Sequence, residues 1–164
     1  MPSFYSERTV KWADGAVILI DQRKLPSRLA YITCTEPLQV ADAIRSMAVR
    51  GAPAIGVAAA MGVALKAHRS REPTREALIA ELEEVSRMLV STRPTAVNLP
   101  WALQRVMTAA RRTGGTRDAV VRAVVDEATQ MADEDVQVNR TLGRLGASLI
   151  EDGETVLTHC KWPV

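Results

Sequence analysis

Two arginines precede predicted helix starts in loops that contain proline. The segment "RGAPAIG" places Arg50 directly before Gly51 and Ala52, and "STRPTAV" places Arg93 before a second proline. A guanidinium can form bidentate hydrogen bonds to a phosphate, and a helix start offers unpaired N–H groups and the positive end of the helix dipole. Together they predict a shared anion site. The alternatives are a tight corner between helices at Gly51 and an ordinary surface charge at Arg93.

Three further residues could take part in chemistry. Cys160, in "TVLTHC", would lie at the carboxyl end of a predicted strand, where open α/β sheets bind ligands. A thiol there transfers protons when its pKa is lowered, and a buried packing role is the alternative. Asp135 occupies an apolar slot of a predicted helix, with Asn139 one turn further on. This predicts either a local hydrogen-bonded pair or the polar edge of a ligand cleft, because a buried carboxylate needs a partner.

The composition excludes several classes of protein. The 164 residues are 47% hydrophobic but only 4% aromatic, which favours a core of closely packed alanine-rich helices. The net charge of +2, with the basic residues scattered, argues against a nucleic-acid partner. Two cysteines without CxxC spacing and two histidines argue against a metal site. The polar N-terminus is unlike a signal peptide, and no apolar run is long enough to span a membrane, which predicts a cytoplasmic protein with free thiols.

The elements that must position these residues begin with strands. Two β-rich runs flank Asp14-Gly15 in "TVKWADGAVILID", a dipeptide typical of two-residue hairpin turns. A third run, "LAYITCT", completes a small antiparallel sheet over residues 9–34. Cys34 in that run is expected to be a buried packing residue.

Helical periodicity then predicts a bundle over residues 36–150. In the first helix, Thr35 is the expected cap, Met47 is expected on the apolar face and Gly51 is expected to end the helix. The second begins at Pro53 and runs to about residue 68, and the third covers about 74–90. Thr95 is the expected cap of the fourth helix, which runs over about 96–112.

The fifth predicted helix is the longest, and its apolar residues keep the alternating spacing of a packing seam. They are Val121, Val124, Ala128, Met131, Val138, Leu142, Leu145 and Leu149. After it, "TVLTHC" predicts a buried strand of the kind that opens a parallel α/β sheet. The expected fold class is therefore α+β, mainly α with a small N-terminal antiparallel sheet. The predicted domains are 1–150 and the beginning of a second, truncated one at 151–164.

Four segments carry a resemblance to a known family. "LIDQRKLP", "VRGAPAIGVAAAMG", "STRPTAVNL" and "TVLTHC" resemble, in that order, the methylthioribose-1-phosphate isomerases. These are aldose–ketose isomerases of methionine salvage, in the family that also contains regulatory subunits of initiation factor 2B. The resemblance covers about residues 9–160. It implies an N-terminal domain of a small sheet and a helical bundle, followed by a Rossmann-like domain.

The resemblance also implies roles for individual residues. Arg50, Gly51 and Ala52 match the family's substrate-binding turn, Arg93 matches its second phosphate-binding arginine, and Cys160 matches a cysteine proposed to assist proton transfer. It implies a sugar-phosphate substrate, no metal or organic cofactor, and a homodimer. The family's acidic residue lies in the second domain, so this chain is not expected to catalyse by itself.

Two other functions stay open. The chain could be a non-catalytic regulatory or interaction module, as in the initiation-factor branch, or part of a ribose-1,5-bisphosphate isomerase. A final expectation concerns association. A strand over residues 155–164 would lack sheet neighbours, so this segment is expected either to be disordered or to pack against another copy of the chain.

Overall fold

The computed structural model describes residues 8–157. It begins with a three-stranded antiparallel sheet in the order β1-β2-β3, formed by Val10–Ala13, Ala16–Ile20 and Tyr31–Cys34. Asp14 and Gly15 have φ angles of 50° and 72°, as a two-residue hairpin turn requires. The predicted hairpin and third strand are both confirmed. Cys34 is completely buried, as predicted.

Five helices follow the sheet, which confirms the α+β class with a mainly helical body. They are α1 Pro37–Arg45, α2 Ala52–Arg69, α3 Arg75–Val90, α4 Asn98–Arg112 and α5 Arg117–Ala147. None of the helices over residues 8–157 is long and apolar enough to cross a membrane.

Helix α2 is the centre of the bundle and contacts each of the other four helices. Its small side chains make this possible. A Cβ added at Gly62 would lie 3.2 Å from a methyl group of Leu89 and 3.4 Å from one of Val40, so α1 and α3 both approach the helix closely here. From Ala54 onward nearly every residue of α2 is buried. The run of small residues is therefore explained by close packing along most of its length.

The end of α1 differs from the prediction. Met47, not Gly51, adopts the left-handed conformation, with φ of 57°, and its side chain is about half exposed. The N–H of Ala48 donates to the carbonyl of Ala43, and the N–H of Met47 donates to Ile44. This is the Schellman arrangement. It ends the helix early, because it satisfies the last carbonyls at once, and it carries Met47 off the apolar face.

Both predicted caps, Thr35 and Thr95, are wrong. Helix α1 is capped at Glu36, whose N–H donates to the side chain of Gln39 at 3.0 Å. Helix α4 begins after Val97 without a side-chain cap. Before it, the N–H of Ala96 donates to the carbonyl of Arg93 and closes a turn. This turn places the start of the helix after Thr95.

Helix α5 is buried along only part of its length. Its buried residues all lie in the first half: Val120, Val124, Ala128, Met131 and Ala132. Beyond them Val138, Leu142, Leu145 and Leu149 are between 57% and 84% exposed, although they continue the same spacing. The predicted seam is therefore correct only in its first part, with Val120 rather than Val121 fully buried. The second half has no element of residues 8–157 packed against its apolar side.

The strand predicted to begin at residue 155 is absent over residues 155–157, which are exposed and irregular. A strand needs a hydrogen-bonded neighbour, and no described segment pairs with these residues. Residues 158–164 lie outside the described part, so the start of a second domain at residue 151 and the association expected there stay predictions.

Candidate anion site at the start of α2

The start of α2 is exposed and lacks side-chain bulk. Gly51 is the N-cap, with φ of 91° and ψ of 132°, a conformation that essentially only glycine adopts without strain. Gly51, Ala52 and Pro53 are all exposed. The first helical hydrogen bond runs from the N–H of Ile55 to the carbonyl of Gly51. The N–H groups of exposed Gly51 and Ala52 therefore have no acceptor within the helix, and Pro53 has no N–H; the two free N–H groups are suited to an anion.

Arg50 lies directly before this helix start. The residue is exposed, and among residues 8–157 its guanidinium has no hydrogen-bonding or ion-pairing partner. Its backbone carbonyl accepts a hydrogen bond from Nε2 of Gln22 at 3.1 Å. The backbone is thus fixed while the charged side chain is free to bind a ligand.

The start of α4 lies beside the start of α2. A Cβ added at Gly56, one turn into α2, would lie only 2.9 Å from the carbonyl oxygen of Asn98 and 3.2 Å from the Cβ of Ala102. Asn98 is the first residue of α4. Because Gly56 has no side chain, the amino ends of the two helices meet at one end of the bundle.

The loop that carries Arg93 leads into this same region. A turn hydrogen bond of 3.1 Å joins the N–H of Ala96 to the carbonyl of Arg93. Arg93 is half-buried, and in the described part of the chain its guanidinium has no protein acceptor. The structure therefore brings the segments of Arg50 and Arg93 to the same end of the bundle, with both guanidinium groups unpaired.

Gln22 supports the start of α2 through its bond to the Arg50 carbonyl, and reasoning from sequence missed it. It lies in a short 3₁₀ turn, Gln22–Lys24, between β2 and β3. Asp21 precedes this turn and is buried. Its carboxylate accepts hydrogen bonds from the side chain of Arg23 at 2.7 and 2.9 Å. These bonds lower the pKa of Asp21 despite its burial. The motif "LIDQRKLP" contained the only signal, and nothing in its spacing pointed to the start of α2.

A concave surface away from the start of α2 lies on α4 and α5. This open groove of about 460 Å³ is lined by Trp101, Gln104, Arg105, Thr108, Ala109, Arg112 and Glu127. The guanidinium of Arg105 lies 5.7 Å from the centre of the Trp101 ring and is paired with Glu127 and Glu134. The charge of Arg105 is therefore already neutralised, which leaves Arg112 as the other cation that lines the groove.

Asp135 and Asn139 on α5 form the local hydrogen-bonded pair that was one of the two predicted alternatives. Nδ2 of Asn139 donates to Oδ1 of Asp135 at 3.1 Å and to the Asp135 carbonyl at 2.9 Å. Burial raises the pKa of Asp135, and the hydrogen bond from Asn139 opposes this.

Of the two cysteines, only Cys34 lies among the described residues. Cys34 is completely buried in the core, which makes it a packing residue and raises the pKa of its thiol to about 11. Cys160 lies outside the described residues. Within residues 8–157, no group of three or more His, Cys, Asp or Glu side chains could hold a metal ion.

Comparison with known proteins gives methylthioribose-1-phosphate isomerases among the relatives of this chain. The chain is 47% identical over 153 residues to the methylthioribose-1-phosphate isomerase of Thermosipho melanesiensis, covering 93% of this chain and 44% of the relative. It is 48% identical over 157 residues to the enzyme of that name from Geobacter metallireducens, covering 95% and 45%. The chain thus spans under half the length of these curated relatives.

Solved structures agree with the fold. A 5-methylthioribose 1-phosphate isomerase from Pyrococcus horikoshii superposes with a TM-score of 0.85 at 41% identity, covering 89% of this chain and 41% of that one. A translation initiation factor eIF-2B subunit delta from A. fulgidus gives 0.84 at 43%, covering 91% and 43%. Residues 48–162 match the family described as the initiation factor 2 subunit family. The chain therefore belongs to the initiation factor 2 subunit family.

Proposed function

We propose that this chain is the N-terminal, phosphate-binding part of an isomerase that converts 5-methylthioribose 1-phosphate to 5-methylthioribulose 1-phosphate. The observation that carries the proposal is the meeting of two helix starts with the segments of two unpaired arginines, Arg50 and Arg93. Relatives at 47–48% identity bear the name of this enzyme. In this proposal the substrate is a small sugar phosphate and the full-length protein is a cytoplasmic homodimer.

The substrate's chemistry shows which groups the reaction needs besides a phosphate site. The anomeric oxygen carries the phosphate, so the sugar ring cannot open by simple loss of a hydroxyl proton. An acid must assist ring opening, and a base must move a proton between C1 and C2. We assign the phosphate to Arg50, Arg93 and the amides of Gly51 and Ala52. We assign proton transfer to Cys160, and the reaction requires no metal or organic cofactor.

The phosphate assignment is tested by calorimetric titration of this chain. We expect 5-methylthioribose 1-phosphate to bind and 5-methylthioribose, which lacks the phosphate, to bind far more weakly. Arg50→Met and Arg93→Met should each weaken binding by about tenfold or more, because each removes a charge-assisted hydrogen bond. Arg122→Met, which changes an exposed arginine on α5, is the matched control. Equal affinity for both sugars would contradict the assignment.

The assignment of Cys160 needs a version of the protein extended to the length of its relatives. There, Cys160→Ser should lower kcat far more than it changes substrate affinity. An unchanged kcat would remove Cys160 from the mechanism.

A regulatory or interaction module is the second candidate. It is favoured by the similarity to the eIF-2B subunit delta at 43% identity. The two candidates differ in turnover. An extended protein that binds the sugar phosphate without isomerising it would favour the regulatory function. Isomerisation of ribose 1,5-bisphosphate in preference to the methylthio sugar would instead identify the third alternative.

A further inference from the structure

The 3₁₀ turn Gln22–Lys24 holds the segment before α2 at two points. The backbone N–H of Gln22 donates to the carbonyl of Ala48 at 3.0 Å, and its side-chain Nε2 donates to the carbonyl of Arg50 at 3.1 Å. One residue therefore bonds to both ends of a three-residue segment. Ala48 and Val49 are buried, so this segment is already anchored to the core, and the contact from Gln22 falls on its exposed end.

The bond to the Arg50 carbonyl determines the direction of the next amide. In a trans peptide the C=O and N–H groups point in opposite directions. Holding the carbonyl of Arg50 towards Gln22 therefore turns the N–H of Gly51 away from Gln22. No backbone carbonyl within residues 8–157 accepts from that N–H. Glycine has wide backbone freedom, so without this bond the Arg50–Gly51 peptide could rotate.

The 3₁₀ turn is itself rigid enough to act as a support. The N–H of Arg23 donates to Oδ1 of buried Asp21 at 3.2 Å, and the same arginine's side chain binds both carboxylate oxygens. The N–H of Asp21 donates to the carbonyl of Ala30 at 2.9 Å, which ties the turn to the residues before β3. Gln22 is thus presented from a turn that is fixed on both sides.

We propose that Gln22 is a positioning residue: through the Arg50 carbonyl it aims the Gly51 amide outward as an anion donor at the start of α2. This role rests on the proposed function, because the anion is the substrate's phosphate. Gln22 itself does not touch the ligand. Its bond already restricts the rotation of the Arg50–Gly51 peptide. Less conformational entropy is therefore lost when the anion binds.

The first test needs no ligand. Gln22→Met keeps the length of the side chain and removes its donor. We expect a changed ¹⁵N chemical shift and faster hydrogen exchange at Gly51, with the signals of α3 unchanged as a control for folding. Gln22→Asn, which retains the amide but is one methylene shorter, should give the same result. Gln104→Met, the same change at an exposed position on α4, should change nothing at Gly51. An unaltered Gly51 signal in both Gln22 variants would overturn the proposal.

The second test is titration with inorganic phosphate, followed at the Gly51 amide. We expect Gln22→Met to weaken phosphate binding about fivefold, the worth of one net hydrogen bond. Binding equal to that of the unaltered chain would overturn the role of Gln22 and leave the proposed function intact. If the unaltered chain bound neither phosphate nor the sugar phosphate, the proposed function would fail. The exchange experiment would then still decide whether Gln22 orients the amide.

Discussion

Helix α2 and the second half of α5 both carry apolar residues, but their surroundings are opposite. In α2 nearly every residue from Ala54 onward is buried. In α5, beyond Ala132, the regularly spaced leucines and Val138 are exposed. The difference lies in the size of the side chains. Glycine and alanine let neighbouring helices approach α2 on several sides, whereas large residues on one face of α5 need a partner that residues 8–157 do not supply.

The comparison shows what periodicity can and cannot predict. Spacing identifies which residues share a face, but it does not say whether anything packs against that face. Small residues give the additional signal in α2, because a helix built of them gains little from hydrophobic burial unless other helices contact it closely. At its amino end the same lack of bulk exposes the backbone amides.

The largest expected effect comes from removing a leucine from each region. Leu65 of α2 is fully buried, and Leu142 of α5 is 62% exposed. Leu65→Ala should lower the free energy of unfolding by about 2–5 kcal/mol, because it leaves a cavity. Leu142→Ala should change it by less than about 0.5 kcal/mol. Urea denaturation of both variants measures the difference, and a large loss for Leu142→Ala would show that its face is covered.

A pair of glycines should give effects of opposite sign. A Cβ at Gly56 would meet the Asn98 carbonyl at 2.9 Å, whereas one at Gly143 would meet nothing within 4 Å. Gly56→Ala should destabilise the fold by about 1–2 kcal/mol, since overpacking against backbone outweighs the better helix propensity. Gly143→Ala should stabilise it by about 0.5–1 kcal/mol. Thermal unfolding of the two variants tests this, and stabilisation by both would disprove the close approach of α2 and α4.

The ion pair between Arg105 and Glu134, which lies near the junction of the two halves of α5, is expected to be sensitive to acid. Hydrogen bonds from Arg105 and then Gln130 lower the pKa of Glu134 from 4.5 to about 2. A carboxylate whose pKa is lowered by folding stabilises the fold above its unfolded pKa, and this contribution is lost as the pH falls from about 4.5 to about 2. Because the pair is partly exposed, the loss should be less than about 1 kcal/mol. Denaturation at several pH values should show a weaker dependence in this window for Glu134→Gln than for the unaltered chain.

The smallest effect is expected next to it, at Asp135. Burial raises the pKa of this carboxyl, so ionisation opposes folding and its cost grows as the pH rises through the folded pKa. Asp135→Asn should therefore stabilise the chain slightly at neutral pH, by less than about 0.5 kcal/mol. Leu145→Ala, a substitution of another exposed residue in the same half of α5, serves as the control for effects on the helix itself. Destabilisation by Asp135→Asn would mean that the ionised carboxylate has a partner that compensates for its burial.

Much of the fold could be predicted from local patterns. Asp14-Gly15 specified the hairpin, and the bounds of α2 and α3 followed from proline, threonine and apolar spacing. The end of α1 and the start of α4 could not be predicted, because Met47 adopts a conformation that glycine usually supplies and a turn moves the start of α4 past Thr95.

The candidate site was predictable only in part. Arg50 and Arg93 are predicted as anion ligands because charge, proline and a helix start stand together in the sequence. The position of their two segments at the same end of the bundle depends on the close approach of Gly56 and Asn98, and the support from Gln22 depends on a hydrogen bond across 28 positions of the chain. Both are tertiary contacts, for which local spacing carries no signal.

The central claim is that the exposed start of α2 binds the substrate's phosphate. It is tested most directly by a crystal structure of this chain with 5-methylthioribose 1-phosphate. We expect the phosphate to accept hydrogen bonds from the Gly51 amide and from the guanidinium groups of Arg50 and Arg93. A phosphate bound instead in the groove of Trp101 and Arg112, with the start of α2 empty, would contradict the claim.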